Sequence, residues 1–494
     1  MTTKVVKGSL WTLGGQILPL FATLISTPFV IRFLGSEGYG VLILVGLIPM
    51  YFSFADFGMS MASTKFGSEA FGQGLRQKEG EVIRTAAVVA FLSSLIFLLP
   101  IFVFSGLIIA RLSVPEYLRQ DGSLALKLTV ISFFFGILGS IFNTAQLSRL
   151  RMDLNSTINA SGRLLSAILA PIVLYLGGGI VGAATIGLAI SLLTVAAHIT
   201  VSGRLLREIY EFSINNSLIK PLIKFGAGLL ASTLALSLLG NLEKLVLSAI
   251  VSVKFLAYYS IAFTFANMAT LFTTAMMQSL IPAFSQLLTP DKKSEFNMLY
   301  SRSIRLNIIV LLPALMILFV IAKPFFTVWA GLEFGENSTA PFYVLLFGLM
   351  FNVLAYVPYA ALTASGRTDI AAKLFWIEIL PFTVAVFIFV NTFGILGAAV
   401  AWSVRVIIDA ILLLHLAKRT VGVTFRLSVY LGNLAAALLF LLPAIIFAGI
   451  YDNFSYWLLL ITPVCLVAYA AVVWQRLIDI DEKRWIAAHL SLVF

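Results

Sequence analysis

Apolar positions along this chain gather into long blocks separated by short polar punctuation, and the blocks number fourteen. They fall at 9–33, 40–62, 83–110, 124–147, 157–177, 180–203, 222–250, 255–285, 304–331, 340–364, 371–392, 395–417, 427–449 and 455–477. A helix rising 1.5 Å per residue crosses a ~30 Å hydrocarbon layer in about 20 residues. The pattern therefore predicts an all-α integral membrane protein of about 14 transmembrane helices. Two pairs of spans, 157–177 with 180–203 and 371–392 with 395–417, nearly abut. Gly177-Gly178-Gly179 and Gly394 predict the tight turns between them.

Composition strengthens this picture. Of 494 residues, 60% are hydrophobic and only 11% charged, and the mean hydropathy is +1.02. Soluble domains carry about 25% charge. A net charge of +11 raises the question of nucleic acid, but the basic residues are scattered over short loops and make no patch, so none is expected as a partner. The start, M-T-T-K-V-V-K-G-S-L-W, precedes an apolar run too long for a signal peptide, and no A-x-A site follows. It reads as a retained first span. The single cysteine, Cys465, forms no intrachain disulfide. With the N-terminus inside, 25 of the 33 Lys and Arg residues fall on the inner side, Arg163 counted among them; seven fall outside and Arg405 lies within a span. The positive-inside rule then places both termini in the cytoplasm.

The chain also repeats itself. G-I-V-G-A-A at 179–184 returns as G-I-L-G-A-A at 394–399, and L-R-M-D-L at 150–154 as G-R-T-D-I at 366–370. His198 pairs with His415, and G-Y-G at 38–40 with A-Y-Y at 257–259. All four landmarks keep their order at separations of 215 to 219 residues. They predict a six-span lobe at 1–210 and a second at 211–420. Residues 421–494 add two unpaired helices and a tail. An even span number makes the repeat parallel, as in carriers with two like halves. Nucleotide-phosphate, zinc-protease, paired-cysteine and serine-hydrolase motifs are all missing. No loop is long enough for a soluble catalytic domain. The chain reads as a transporter rather than an enzyme, without a cofactor. Its energy would come from an ion gradient, the membrane potential or the substrate's own gradient.

Three N-terminal stretches now gain meaning: W-T-L-G-G from Trp11, R-F-L-G-S-E-G-Y-G-V from Arg32 and A-D-F-G-M-S-M-A-S-T-K from Ala55. They resemble the signature of Wzx-like polysaccharide or O-antigen flippases. These form the polysaccharide transport branch of the multidrug/oligosaccharidyl-lipid/polysaccharide (MOP) exporter superfamily. N-L-E-K at 241–244 and K-F-L-A-Y-Y-S at 254–260 are similar to that branch's second-half elements. Ala257 stands where Gly is usual and Glu243 where Asp is usual. Fourteen spans exceed the twelve common in the branch and equal the number in lipid II flippases, whose Arg/Asp-rich first-span signature is missing. The resemblance implies a V-shaped arrangement with a central cavity lined by spans 1, 2, 7 and 8. It also implies a bacterial inner membrane protein that exports an undecaprenyl-diphosphate-linked oligosaccharide by alternating access. Polysaccharide polymerase and chain-length proteins are further implied partners, beside membrane lipid.

Charges within spans need reasons, because one at a helix centre costs about 2.5–3.5 kcal/mol to insert. Arg405 lies about 15 Å into its span, with Asp409 at i+4. The two read as a structural ion pair or as one that changes partner between states. Asp56 either caps a break at Gly58 or lines the inner mouth. Glu243 and Lys244 either snorkel to the outer interface or face the cavity, with Asn241 sharing a face with Lys244. Arg32 reads as an interface anchor or a diphosphate contact. Candidate substrate contacts are thus Arg32, Asn241, Lys244 and Lys254; candidates for ion coupling or gating are Asp56, Glu243, Glu378, Arg405 and Asp409. His198 and His415 read mainly as packing residues. Prolines inside spans, Pro19, Pro28 and Pro49 among them, predict kinks. Spans 13–14, having no repeat partner, are candidates for a groove that holds a lipid tail. A cation-coupled drug exporter is the rival reading among transporters, and a membrane polysaccharide polymerase or ligase the rival among enzymes.

Overall fold

In hydrocarbon every backbone N–H and C=O needs a partner inside the protein, so apolar blocks fold as helices. The computed structural model describes residues 2–211, 213–423, 432, 435 and 456–477, and every regular element among them is helical. The predicted span 427–449 lies almost wholly outside the described residues. In order the helices are α1 (Thr2–Met50), α2 (Met59–Gly72), α3 (Arg76–Val103), α4 (Ser105–Arg111), α5 (Glu116–Phe142), α6 (Thr144–Ser148), α7 (Met152–Tyr175) and α8 (Gly179–Leu205). Then follow α9 (Asn216–Ile250), α10 (Val253–Met268), α11 (Leu271–Ser285), α12 (Lys293–Ala330), α13 (Leu332–Ala364), α14 (Thr368–Val421) and α15 (Tyr456–Val472). Among the described residues eight helices are long and apolar enough to cross a membrane, or nine if α10 and α11, bent by 50°, form one span. Helices α1 and α14 each join two helices across a glycine, at Gly35 and Gly394.

The chain divides into two compact units, Met1–Ala257 and Tyr258–Phe494. By sequence α9 opens the second repeat, yet it packs with the first unit. The connection before it is fastened to α3. Arg84 donates to the carbonyls of Glu208 and Ser213, Arg76 meets Glu208 at 3.1 Å, and Asn215 Nδ2 donates to Glu81 at 2.8 Å. In the second unit a core of Phe284, Phe296, Tyr300, Leu312 and Leu354 joins α11, α12 and α13.

The repeated hexapeptide is one helical hairpin built twice. Gly179 and Gly394 both have φ 56°, a left-handed turn that glycine adopts without strain. Three residues on, Gly182 and Gly397 are where the second helix crosses back over the first. A Cβ at Gly182 would lie 2.7 Å from Val173 Cγ1, and one at Gly397 would lie 1.8 Å from the Phe389 carbonyl oxygen.

Span 2 differs from expectation. The apolar block 40–62 is not one helix: α1 stops at Met50, residues 51–58 form turns, and α2 starts at Met59. Pro49 removes a donor, and Phe57 and Gly58 take φ of 54° and 70°. Other groups satisfy the freed backbone. Ser93 and Ser94 donate to the Ala55 carbonyl, and the Asp56 carboxylate accepts from Gly58 N at 2.8 Å and Ser60 N at 3.0 Å. Helix α9 seals the break, since Tyr51 donates to the Asn241 carbonyl and Ser237 to that of Met50. Gly58 and Gly226 touch backbone to backbone there.

Candidate functional site

Four helices of the first unit carry small and polar residues at helical spacing within otherwise apolar runs. On α7 these are Asn155, Asn159, Arg163 and Ser166; on α8, Gly187, Ser191, Thr194 and His198. Helix α5 supplies Ser132, Gly136, Gly139 and Asn143, and α1 supplies Thr12, Gly15 and Gln16. Steps of three and four residues put each set on one helix face. The four faces meet around a cavity of about 610 Å³. Polar groups at membrane depth are tolerated where they line such a space.

Arg163 is its most consequential wall residue. It stands eleven residues after Met152, about 16 Å along a helix of about 36 Å, hence near mid-span. Its side chain is exposed to the cavity, and no carboxylate pairs with it among the described residues. No Asp or Glu lines the cavity among those residues. Asparagines surround the end of the cavity nearest Gln146: Asn143 Nδ2 donates to Asn155 Oδ1 at 3.2 Å, and Asn159 Nδ2 to the same oxygen at 3.0 Å. Below them Gln146, fully buried, donates to Ser202 Oγ at 3.0 Å and lies 3.3 Å from His198 Nδ1. Asn143 Oδ1 and Gln146 Oε1 remain buried without a hydrogen-bond partner. The arrangement offers one fixed cation and a ring of neutral donors and acceptors. That combination suits an anionic, hydroxyl-rich ligand.

A buried ion pair follows Gln146 along the chain. Arg149 grips Glu79 through two bonds, 2.6 and 3.1 Å, and its guanidinium covers the Phe71 ring. Ser63 meets Thr144 at 2.8 Å beside it.

None of the nine residues singled out from the sequence lines this cavity. Asp56 comes nearest. Its carboxylate accepts from the Ser60 hydroxyl, which lies 2.8 Å from Ser140 Oγ on the cavity wall. Arg32 is exposed, three residues before the Gly35 break. On α9, Lys244 donates to Asn241 Oδ1 at 2.9 Å, and Glu243 is fully buried. Lys254 is half-buried at the start of α10. In the second unit the Gly394 fold gathers Glu378, Arg405 and Asp409: Arg405 Nη1 is 3.7 Å from Glu378 Oε2 and its guanidinium stacks over Phe382. Glu378 and Asp409 are each 7% exposed.

The charge bias assigns Arg163 to the inner loops, whereas it lies well within α7. The signal that marks it is the polar stripe Asn155–Asn159–Arg163–Ser166, read at helical period across an apolar run. Among the described residues no three His, Cys, Asp or Glu side chains are placed to hold a metal ion.

Comparison with known proteins fits this geometry. The family model described as polysaccharide biosynthesis protein matches residues 5–288, more than half of the chain. A Shigella flexneri protein assigned as an O-antigen transporter is 26% identical over 427 residues, covering 85% of this chain and 99% of its own. The Bacillus subtilis membrane protein EpsK is 24% identical over 358 residues, covering 69% of this chain and 68% of its own. Among solved structures, the lipid II flippase MurJ in its inward closed conformation superposes with a TM-score of 0.70 at 17% identity, covering 95% of this chain and 99% of that one. An inward-facing multidrug resistance transporter of the MATE family gives 0.62 at 13% identity, covering 83% and 98%. The resemblance carried by the N-terminal motifs is thereby borne out: this is a multi-pass membrane protein with the fold of the MOP exporters, and the chain belongs to the polysaccharide biosynthesis protein family.

Proposed function

We propose that the protein flips an undecaprenyl-diphosphate-linked oligosaccharide from the cytoplasmic to the outer leaflet by alternating access, with both termini cytoplasmic. The observation that carries this reading is an arginine without a carboxylate partner, set at mid-span among asparagines and hydroxyls in a membrane-embedded cavity. Arg forks match phosphate oxygens, and the neutral amides and hydroxyls match sugar hydroxyls. Moving an anion outward across an inside-negative membrane gains about 2.3 kcal/mol per charge per 100 mV. The potential alone can therefore bias a diphosphate outward. The cluster Glu378–Arg405–Asp409 is our candidate for ion coupling, and Asp56, one hydroxyl relay from the cavity, for gating. Arg32, Asn241, Lys244 and Lys254 are kept as secondary contacts along the path. Polymerase and chain-length proteins are the partners such a product would feed.

A cation-coupled drug exporter is the second reading, favoured by the paired carboxylates of Glu378 and Asp409. The acid-free lining around Arg163 argues against a cationic cargo. The test is reconstitution in liposomes with a fluorescent lipid-linked sugar, scored by quencher access. Wild-type protein is expected to equilibrate the lipid between leaflets, and Arg163→Ala to slow this at least tenfold. Equal rates for the two proteins would remove the cavity from the pathway; transport of organic cations without lipid movement would establish the second reading.

A further inference from the structure

Beside the polar cavity lies a second space of about 500 Å³, on the other side of the α1–α7 crossing. Trp11, Gly14 and Leu18 of α1 face Leu164 of α7 across it, so its lining is largely apolar. Gly15 and Ser156 border both spaces. The partition they share is built of small residues, a Cβ at Gly15 lying only 3.0 Å from Ser156 Cβ. Arg163 and Leu164 are consecutive on α7 and so point about 100° apart, one into each space. A polar chamber with a fixed cation therefore adjoins an apolar groove over one turn of helix. Both occupy the first halves of α1 and α7, which the Lys/Arg bias assigns to the inner leaflet.

We infer that the α1–α7 groove seats the polyprenyl tail of the substrate while its phosphate and sugar occupy the cavity beside Arg163. This rests on the flippase reading and adds the place where the lipid is held. The occupant follows from adjacency. A ligand filling both spaces needs an anionic hydrophilic head joined directly to a slender hydrocarbon chain, and a single isoprenoid chain on a phosphate has that form. The groove thus replaces spans 13–14 as the tail site on the inner side.

A polyprenyl-diphosphate sugar bearing a diazirine within its first isoprene units tests this in proteoliposomes, with cross-links mapped by mass spectrometry. Wild-type protein is expected to label within 11–18 and 156–164. Gly14→Phe should cut that labelling at least fivefold. A Cβ at Gly14 meets no atom within 4 Å, so the ring fills the groove without moving backbone; Ser161→Phe, at an exposed position, is the second variant. Labels concentrated in 456–477, unchanged labelling in both variants, or equal labelling by a diazirine diacyl phospholipid would overturn the assignment. Flipping measured on the same vesicles separates the two proposals. Transport with labels elsewhere sinks the groove alone, whereas groove labelling without transport sinks the flippase reading and leaves the lipid site standing.

Discussion

Arg163 and the Glu79–Arg149 pair illustrate opposite fates of a buried charge. Arg163 keeps its five donors open to a cavity, so its worth is functional; Arg163→Lys, which keeps charge but loses the planar fork, is expected to retain more transport than Arg163→Ala, measured by quencher access. Glu79 is fully buried and held by two bonds. Removing one partner strands the other charge, so Glu79→Ala should cost about 3–5 kcal/mol of stability in thermal unfolding of the purified protein. Replacing both, Glu79→Leu with Arg149→Leu, is expected to cost far less, because no charge is left without its mate. A double mutant as unstable as the single one would show that a stranded charge is not the source of the loss and that the pair itself stabilises the fold. Of the charges named from the sequence, most were recognisable as unusual; Asn241 was legible as a neighbour of Lys244 one helical turn away, but Glu378 was not legible as a partner of Arg405, since that pairing depends on how two helices adjoin.

At the scale of elements, the two glycines of the repeated hexapeptide do different work. Gly394 needs only its left-handed φ, and a Cβ there meets nothing within 4 Å. Gly394→Ala is therefore expected to cost about 1–3 kcal/mol. Gly397→Ala drives a methyl into the Phe389 carbonyl and should disrupt the α14 hairpin, seen as loss of monodisperse protein in detergent. If both variants behave alike, close helix crossing is not the reason for the second glycine. The turns at Gly177–Gly179 and Gly394 were readable because glycine is the residue that adopts such φ freely. The break in span 2 was readable only as one of the two roles open to Asp56, a cap at Gly58; its extent back to Met50 was not, since hydropathy averages over Pro49. What makes an unwound stretch tolerable there is partners on α3 and α9, namely Ser93, Ser94 and Ser237, far away in sequence.

For the whole molecule, the charge bias predicts an orientation that labelling can check. In a Cys465→Ala background, Tyr117→Cys at the exposed start of α5 should react with a membrane-impermeant maleimide from outside. Gln73→Cys, between α2 and α3, should react only after permeabilisation; the reverse pattern would invert the topology and with it the leaflet assigned to the groove. Hydrophobic blocks, loop charges and the repeated landmarks by themselves determined a helical membrane protein with its hairpin turns, because the bilayer imposes those regularities on each segment separately. Tertiary structure alone decided that α9 packs with the first unit and that stripes on α1, α5, α7 and α8 converge around Arg163. It also set an apolar groove against that cavity. A helix shows in its sequence only which face is polar; which other faces it meets depends on how all the helices pack.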